Sequence, residues 1–454
     1  EKTEIPDNFF DTVIGNVPFG NFKIMDKRYD KYNFLMDSGS EDKMTWNNAM
    51  LIAQYDAPWR KKGGTLGVTA SMNHYGNSQG MLKQMDQTSN NLLIRSLLDE
   101  GMLHACVNTG AGRKWRLQYG LKLRMARFNP GSARVLETTG LFPKTSSPLM
   151  NDVHWNITGT AHGQLERGSY DRSMLRLAGR LNYNSAAGIA PEASALLRIR
   201  IFKHLGLEVT GDYLTQFYHT LEGIPLGWSL DMIVPPSRRF RPEQTKQAYA
   251  GLYSDAGNHH FSAGAYYKEM SNLVYFSDAT KLFDSAIAGW EENIEVGTGT
   301  SRGLEFLYEK TSGLATWRLA YTWSKTDRLF PNLNKGEVFP AKFDREHIFN
   351  ASTSARVLSR ERLNVSIATL FTYQSGHWET VTAGSWWDDN FITGLVEQKF
   401  YTSLNNYRMP PYIRWDISAL LEFTGRKHPQ TLNIGVYNVL NRHNPFALSY
   451  DPDN

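Results

Sequence analysis

Residues 412–423 read YIRWDISALLEF, and the fold class is clearest in this segment. Apolar side chains occupy every second position from Ile413 to Phe423, whereas Arg414, Asp416 and Glu422 lie between them. Successive side chains of a β-strand point to opposite faces, so the stretch has one apolar face and one charged face. Residues 363–372 alternate in the same way. The pattern predicts β-strands, and an apolar face this continuous is typical of strands that contact lipid.

The same alternation recurs along the chain, with charged residues confined to one face of each segment. It is clear at residues 175–183, 197–201, 304–309, 317–324 and 432–436. An arginine facing lipid at mid-depth costs about 2–4 kcal/mol, so the charged face must contact water or protein. The pattern predicts a transmembrane β-barrel whose charges line its lumen.

The connections between these segments alternate between short and long. The short ones are residues 203–206, 256–258, 311–313, 358–360 and 424–429, and the long ones run about 221–242, 272–301, 327–343 and 376–409. Outer-membrane barrels have short periplasmic turns and long outward loops. Laid end to end, the segments predict an all-β fold, a large antiparallel transmembrane β-barrel with about 16 strands visible, the last near residues 431–439. That number excludes a small eight-stranded barrel.

Composition agrees with this fold class and excludes others. Mean hydropathy is −0.45 and no run of about 18 apolar residues occurs, so a helical membrane protein is excluded. Aromatic residues make up 13% of the chain, which suits the aromatic girdles of a barrel. A net charge of +4 is too small to predict nucleic acid as a partner.

Several short motifs follow one another between Arg241 and Phe446. They are RPEQ at 241–244, AYYK at 265–268, SRGLE at 301–305, LAYTWS at 319–324, DREH at 344–347, PPY at 410–412 and VYNVLNR at 436–442. In this order they resemble the barrel of a TonB-dependent outer-membrane transporter, in the form common in Bacteroidota. The resemblance in the first half of the chain is architectural.

The sequence also departs from that family. Family members carry an N-terminal plug preceded by a segment that contacts an energising partner, and neither pattern is present here. We expect two regions: residues 1–43, a poorly patterned segment of early barrel strands or loop, and residues 44–454, a transmembrane barrel without its final strand. Family barrels have about 22 strands, so we expect this chain to be a portion of a longer protein.

Two groups of residues are candidates for binding and transport. In the long loop 376–409, aromatic rings lie beside carboxylates at Trp378, Trp386, Trp387, Asp388 and Asp389. Such a set suits binding of a planar or sugar-like ligand. The alternative is that these side chains pack the loop onto its neighbours. Charges predicted to face the lumen form either a path for an anionic solute or salt bridges across the barrel. Those charges are Arg116, Lys122, Arg124, Arg176, Arg180, Arg198, Arg200, Arg414 and Asp416, while the acids Glu305, Glu309 and Glu422 dominate the later strands.

No catalytic, cofactor or metal site is predicted. Cys106 is the only cysteine, which argues against a disulfide framework and a cysteine-based zinc site. The pair His259-His260 has no carboxylate or cysteine at ligand spacing. We therefore expect a protein that is not an enzyme and that needs no cofactor.

The resemblance implies energy-coupled import of a scarce bulky nutrient across the bacterial outer membrane. The cargo classes left open are ferric chelates, corrinoids, oligosaccharides and peptides. Expected partners are outer-membrane lipid and a TonB-type energising complex, with room for a surface lipoprotein or other outer-membrane subunits. The alternative is a passive porin or a structural barrel within a larger surface complex.

Overall fold

Antiparallel strands joined in chain order build most of the described chain. The structure is a computed structural model that describes residues 20–22, 40–59, 63–85, 88–110, 114–135, 153–169, 173–221, 233–237, 239–277, 291, 294–381, 383–390, 394–423 and 430–445. Within them, no helix is both long and apolar enough to cross a membrane. The only helical element with described bounds is a 3₁₀ turn at Asn334–Gly336 in the connection after the fifteenth strand.

The strands are numbered in chain order. They are β1 Gly20–Phe22, β2 Ser40–Trp59, β3 Gly64–Met85, β4 Thr88–Gly110, β5 Trp115–Val135, β6 His154–Gly168, β7 Ser173–Asn184, β8 Gly188–Arg200, β9 Leu205–Gln216, β10 His219–Thr220, β11 Ile233–Val234, β12 Glu243–Ala256, β13 His259–Phe276, β14 Ile294–Lys310, β15 Ala315–Leu329, β16 Phe339–Pro340, β17 His347–Arg360, β18 Leu363–Gln374, β19 Trp378–Glu379, β20 Gly384–Asn390, β21 Gly394–Phe400, β22 Tyr407–Arg408, β23 Tyr412–Phe423 and β24 Gln430–Val436.

One sheet of eighteen strands contains every strand longer than seven residues, together with β24, β1 and β16. Each long strand pairs antiparallel with its neighbours in the chain, from β2 through β9, then β12 to β15, β17, β18, β23 and β24. The short strands β1 and β16 add to β2 and β15, which leaves sixteen long members. The predicted all-β class, antiparallel pairing and strand number are confirmed. Three further two-stranded ladders, β10–β11, β19–β22 and β20–β21, lie in the long connections.

The two faces of this sheet differ in chemistry, as the alternation predicts. Large apolar side chains stand exposed on one face, and Leu121, Leu181 and Ile189 expose 67%, 54% and 70% of their surface. The register keeps them together, since Leu121 pairs with Ala161, which pairs with Leu181. A soluble monomer does not expose an apolar surface that extends over so many strands, so this face needs an apolar partner. We call it the apolar face and the other the polar face.

Strand ends differ from the sequence-based expectation at several places. The predicted loop 272–301 is shorter, because β13 continues through a bulge at Asn272, whose φ is 59°, and ends at Phe276. The turn expected at 358–360 lies at Glu361 and Arg362, since β17 runs to Arg360. The last strand ends at Val436 rather than near 439, because Asn438 adopts a φ of 52°. The region expected to be poorly patterned contains β1 and the start of β2.

Candidate functional site

The basic residues predicted on β5, β7 and β8 share the polar face. In an antiparallel ladder, residues that pair directly point to the same face, and the register joins Arg116 to Glu166 and Glu166 to Arg176. The register pairs even-numbered residues of β5 to β8 with one another, so all the predicted basic residues on these strands point to the same face. They are Arg116, Lys122, Arg124, Arg176, Arg180, Arg198 and Arg200. The structure thus brings these seven residues to one face of three strands.

Carboxylates on adjacent strands pair with five of these seven cations, namely Arg116, Arg124, Arg176, Arg180 and Arg198. Arg116 Nη2 and Arg176 Nε both donate to Glu166, the latter at 3.1 Å. Arg180 Nη1 lies 3.1 Å from Glu192 Oε2. The three arginine side chains expose 68%, 39% and 59% of their surface, so solvent screens these ion pairs and each contributes about 0–1 kcal/mol.

Arg198 is the most enclosed member of the set. Its side chain is only 5% exposed, and its Nη1 donates to Glu208 Oε2 at 2.6 Å. Its guanidinium carbon lies 3.3 Å from the centroid of the Tyr253 ring, so the cation also stacks on an aromatic face. Three strands, β8, β9 and β12, therefore meet through one buried charge.

Arg414 and Asp416 contact each other on β23. Arg414 Nη2 lies 2.7 Å from Asp416 Oδ2, and Arg414 Nη1 donates to the Tyr437 hydroxyl at 2.9 Å. The backbone N–H of Asn438 donates to Asp416 Oδ1 at 2.9 Å. This pair anchors the chain where β24 ends.

The acidic partners in the early strands are the residues that sequence reasoning missed. It assigned acids to the later strands, whereas the polar face of β4, β6, β8 and β9 also carries Glu100, Glu166, Glu192 and Glu208. Once the strand register is known, these four glutamates are seen to lie on the same face as the arginines, on neighbouring strands. Local pairing of this kind favours salt bridging between strands over a path for an anionic solute.

The predicted loop residues divide between two small ladders. Trp378 lies in β19, which pairs with β22, and its ring centroid is 5.3 Å from the guanidinium carbon of Arg408. The residues 386–389 lie in β20, which forms a hairpin with β21. The side chains of Trp386, Trp387, Asp388 and Asp389 lie outside the described part of the structure. The register sets Trp387 opposite Glu397.

Ion pairs hold this loop at the strand ends. Arg408 Nη1 donates to Glu346 Oε2 at 2.8 Å, and this hydrogen bond lowers the pKa of Glu346 below its usual range. Lys342 Nζ lies 3.3 Å from Glu379 Oε2. Burial raises the pKa of Asp344, whose Oδ1 accepts a hydrogen bond from the Thr326 N–H at 3.0 Å.

An apolar cluster packs the long connections into a layer. Leu273 and Tyr275 at the end of β13 contact Phe330, Leu333, Phe339 and Leu404, all of them buried. Asn405, which is 2% exposed, donates to the Pro340 carbonyl at 2.8 Å and accordingly fixes the loop before β22 to the one before β17. The connections after β13, after β15 and before β22 therefore pack together on this side of the sheet.

The connection after β9 crosses the polar face. Tyr218 and Ile233 pack against Leu98 of β4 and Phe128 of β5, although four strand spacings, about 19 Å along a sheet, separate β5 from β9. His219, beside Tyr218, is 1% exposed, and burial lowers its pKa to about 4. The crossing brings a buried, uncharged histidine to the interior side of the sheet.

Comparison with known proteins identifies the family. The protein-family model described as TonB dependent receptor-like, beta-barrel matches residues 112–439, which is well over half of the chain. The chain belongs to this family. No curated protein sequence matches it significantly.

Solved receptor structures share the fold of this barrel at low sequence identity. The ferripyoverdine receptor of Pseudomonas aeruginosa matches with a TM-score of 0.58 and 12% identity, over 89% of this chain and 54% of the receptor. The ferric yersiniabactin receptor FyuA of Yersinia pestis gives 0.57 and 11%, over 89% and 58%. BauA, the ferric preacinetobactin receptor of Acinetobacter baumannii, gives 0.54 and 12%, over 89% and 60%. The chain thus spans less than two thirds of the length of these three receptors.

Family and fold together confirm several expectations. The large antiparallel sheet has the barrel fold of TonB-dependent receptors, and these receptors reside in the bacterial outer membrane. The expectation that the chain is not an enzyme is confirmed, because the family consists of receptors and transporters. The resemblance seen in the motifs of residues 241–446 is therefore confirmed at the level of the family.

Proposed function

We propose that this receptor barrel forms part of a protein that imports a scarce, bulky nutrient across the outer membrane with energy from a TonB-type complex. The observation that carries the proposal is the family match over residues 112–439. The apolar face contacts lipid and the polar face lines the lumen, so cargo passes beside the paired charges of β5 to β9. We interpret those charges as cross-strand salt bridges that hold the lumen wall.

Ferric chelates are the first cargo class to test. Three solved receptors with this fold take ferric siderophores, and corrinoids, oligosaccharides and peptides are the remaining classes. We propose that cargo contacts the outward loop at Trp378 and at the β20 residues Trp386, Trp387, Asp388 and Asp389. The contact between Trp378 and Arg408 supports this assignment, because the hydrogen bond from Arg408 to Glu346 holds the cation beside the aromatic ring.

The partners follow from the same proposal. A TonB-type complex transmits energy from the inner membrane, and lipid surrounds the apolar face. A surface lipoprotein or other outer-membrane subunits would add to this assembly at the loop layer. The Bacteroidota type rests on the motif resemblance in residues 241–446.

Uptake assays test the proposal. We expect a strain without this protein to lose saturable uptake of one cargo class, with ferric chelates tested first under iron limitation, and a strain without TonB to lose the same uptake. Trp378→Ala should weaken cargo binding, whereas Trp317→Phe, on the apolar face, should leave it unchanged. If the protein instead supports size-limited diffusion that does not saturate and does not need TonB, it is a porin and the proposal is wrong.

A further inference from the structure

Two histidines and a cysteine, residue types that ligate metal ions, meet on the polar face at a place that the proposed transport function does not use. His104 and Cys106 are two residues apart on β4, so they share a face, and His162 reaches them from β6. His104 Nε2 and His162 Nε2 are 2.8 Å apart. One ligand atom from each of the three residues lies within 4.8 Å of the other two.

A glycine on the strand between them makes this meeting possible. Cys106 pairs with Gly120 on β5, and Gly120 pairs with His162 on β6. Strands two apart in a sheet are about 9.5 Å apart, so a residue on the middle strand normally separates their side chains. A Cβ added at Gly120 would lie 2.7 Å from His162 Nε2, so any other residue at position 120 would displace the imidazole from this place. The imidazole of His162 thus lies over β5 and reaches β4.

The geometry fits a metal ion with nitrogen and sulfur ligands. Zinc binds histidine nitrogen at about 2.0–2.1 Å and thiolate sulfur at about 2.3 Å, with tetrahedral angles. Two nitrogens on such an ion are about 3.4 Å apart, so the two Nε2 atoms need to separate by about 0.6 Å from their present 2.8 Å. The two Nε2 atoms already face each other in a hydrogen bond. When an ion binds, the imidazole that carries its proton on Nε2 would take the Nδ1–H tautomer, and the Cys106 thiol would release its proton to solvent.

The environment of the cluster determines which ions fit. Imidazole and thiolate select zinc and similar transition metals, whereas magnesium and calcium need oxygen ligands. Gln118 Nε2 donates to Cys106 Sγ at 3.1 Å, which orients the sulfur. Lys122 pairs with His104 in the register, and its positive charge opposes a bound cation, so affinity must come from direct ligation.

We propose that His104, Cys106 and His162 bind one divalent transition-metal ion such as Zn²⁺, with a fourth position open to water or to an incoming ligand. Tyr119 and Leu121 stand exposed on the apolar face at the same level, so the ion lies at membrane depth and enters from the interior. The bound ion ties β4 to β6 across β5. The proposal needs only the barrel and holds whatever the protein imports.

Cobalt titration of the chelator-treated protein, purified in detergent, tests this site. We expect one Co²⁺ per chain with a sulfur-to-cobalt charge-transfer band in the near ultraviolet, and Zn²⁺ should displace it. Cys106→Ser should abolish the band, and His104→Gln and His162→Gln should each weaken binding about tenfold or more. Lys122→Met should tighten binding. The control is His260→Gln, which removes another polar-face histidine and should change nothing.

Thiol protection gives a readout that needs no variant. Cys106 is the only cysteine, so alkylation of the wild-type chain reports on it alone. Zn²⁺ should slow this alkylation and Mg²⁺ should not. Absence of stoichiometric Co²⁺ binding together with unprotected Cys106 would show that the cluster is a hydrogen-bonded histidine pair only. Cobalt binding and thiol protection do not depend on transport. The proposal of a metal site and the proposal of nutrient import can therefore fail independently of each other.

Discussion

The buried cation at Arg198 allows a quantitative test of the polar face. Arg198→Met keeps the length of the side chain but removes the donor that lies 2.6 Å from Glu208 and the charge that stacks on Tyr253. Glu208, which is 21% exposed, then keeps its negative charge without its partner. The change therefore separates the contribution of the charge from that of the volume.

The structure sets the size of the effect. Breaking a buried ion pair by removing one partner costs about 3–5 kcal/mol, and a cation–π contact contributes about 0.5–2 kcal/mol. Because Glu208 keeps a fifth of its surface in contact with solvent, the lower end of the first range applies. We expect Arg198→Met to lower the free energy of unfolding by about 3 kcal/mol.

Urea unfolding in lipid vesicles, followed by tryptophan fluorescence, measures this loss. Arg318→Met is the control, since Arg318 is 63% exposed beside Glu309 and should contribute about 1 kcal/mol or less. Adding Glu208→Gln to Arg198→Met should restore most of the stability, because the uncompensated charge disappears. An Arg198→Met loss no larger than that of the control, or a double variant as unstable as the single one, would show that the Arg198–Glu208 pair does not act as a buried ion pair.

Three further predictions address other parts of the molecule. Leu121→Arg, on the apolar face, should destabilise the barrel in lipid by about 2–4 kcal/mol in urea unfolding, whereas Ala178→Arg on the polar face should cost much less. The lowered pKa of His219, about 4 against an ordinary 6.5, favours the neutral form in the folded state, so stability is full above pH 6.5 and falls as pH drops toward 4. Acidification from pH 7 to 5 should weaken the β10–β11 segment by about 2 kcal/mol in hydrogen exchange, and His219→Phe should remove this dependence. Asn405→Ala removes buried hydrogen bonds worth about 1–3 kcal/mol and should speed proteolysis of the loop 376–409.

The sheet was predictable from sequence because its two faces meet different surroundings. In β23 the odd-numbered residues from Ile413 are apolar, whereas nearly all of the even-numbered residues from Arg414 are polar or charged. This alternation alone identifies both the strand and its two faces. Strand boundaries were less predictable where the same residue type occurs both in turns and within strands. Asn272 suggests a loop, yet its positive φ serves a bulge within β13 and its side chain donates to the Pro242 carbonyl at 2.9 Å.

The candidate sites depend on contacts that local sequence does not encode. The pairing of Arg198 with Glu208 needs the register of β8 against β9, and the approach of His162 to His104 needs two registers and a glycine at 120. Ligand spacing along the sequence does not reveal this cluster, because His104 and His162 are 58 residues apart. The ladder β19–β22 likewise joins residues on opposite sides of the hairpin that contains Trp386.

An accessibility scan along β5 tests the central claim, that the apolar face contacts lipid and the polar face contacts the water-filled interior. Nitroxide labels would be placed singly at residues 117–125 of the receptor in lipid, with Cys106→Ser as background. We expect a two-residue period: labels at the odd positions, such as Leu121 and Leu123, should collide with oxygen, and labels at the even positions, such as Lys122 and Arg124, with a water-soluble nickel complex. An absence of alternation, or the opposite phase, would contradict it.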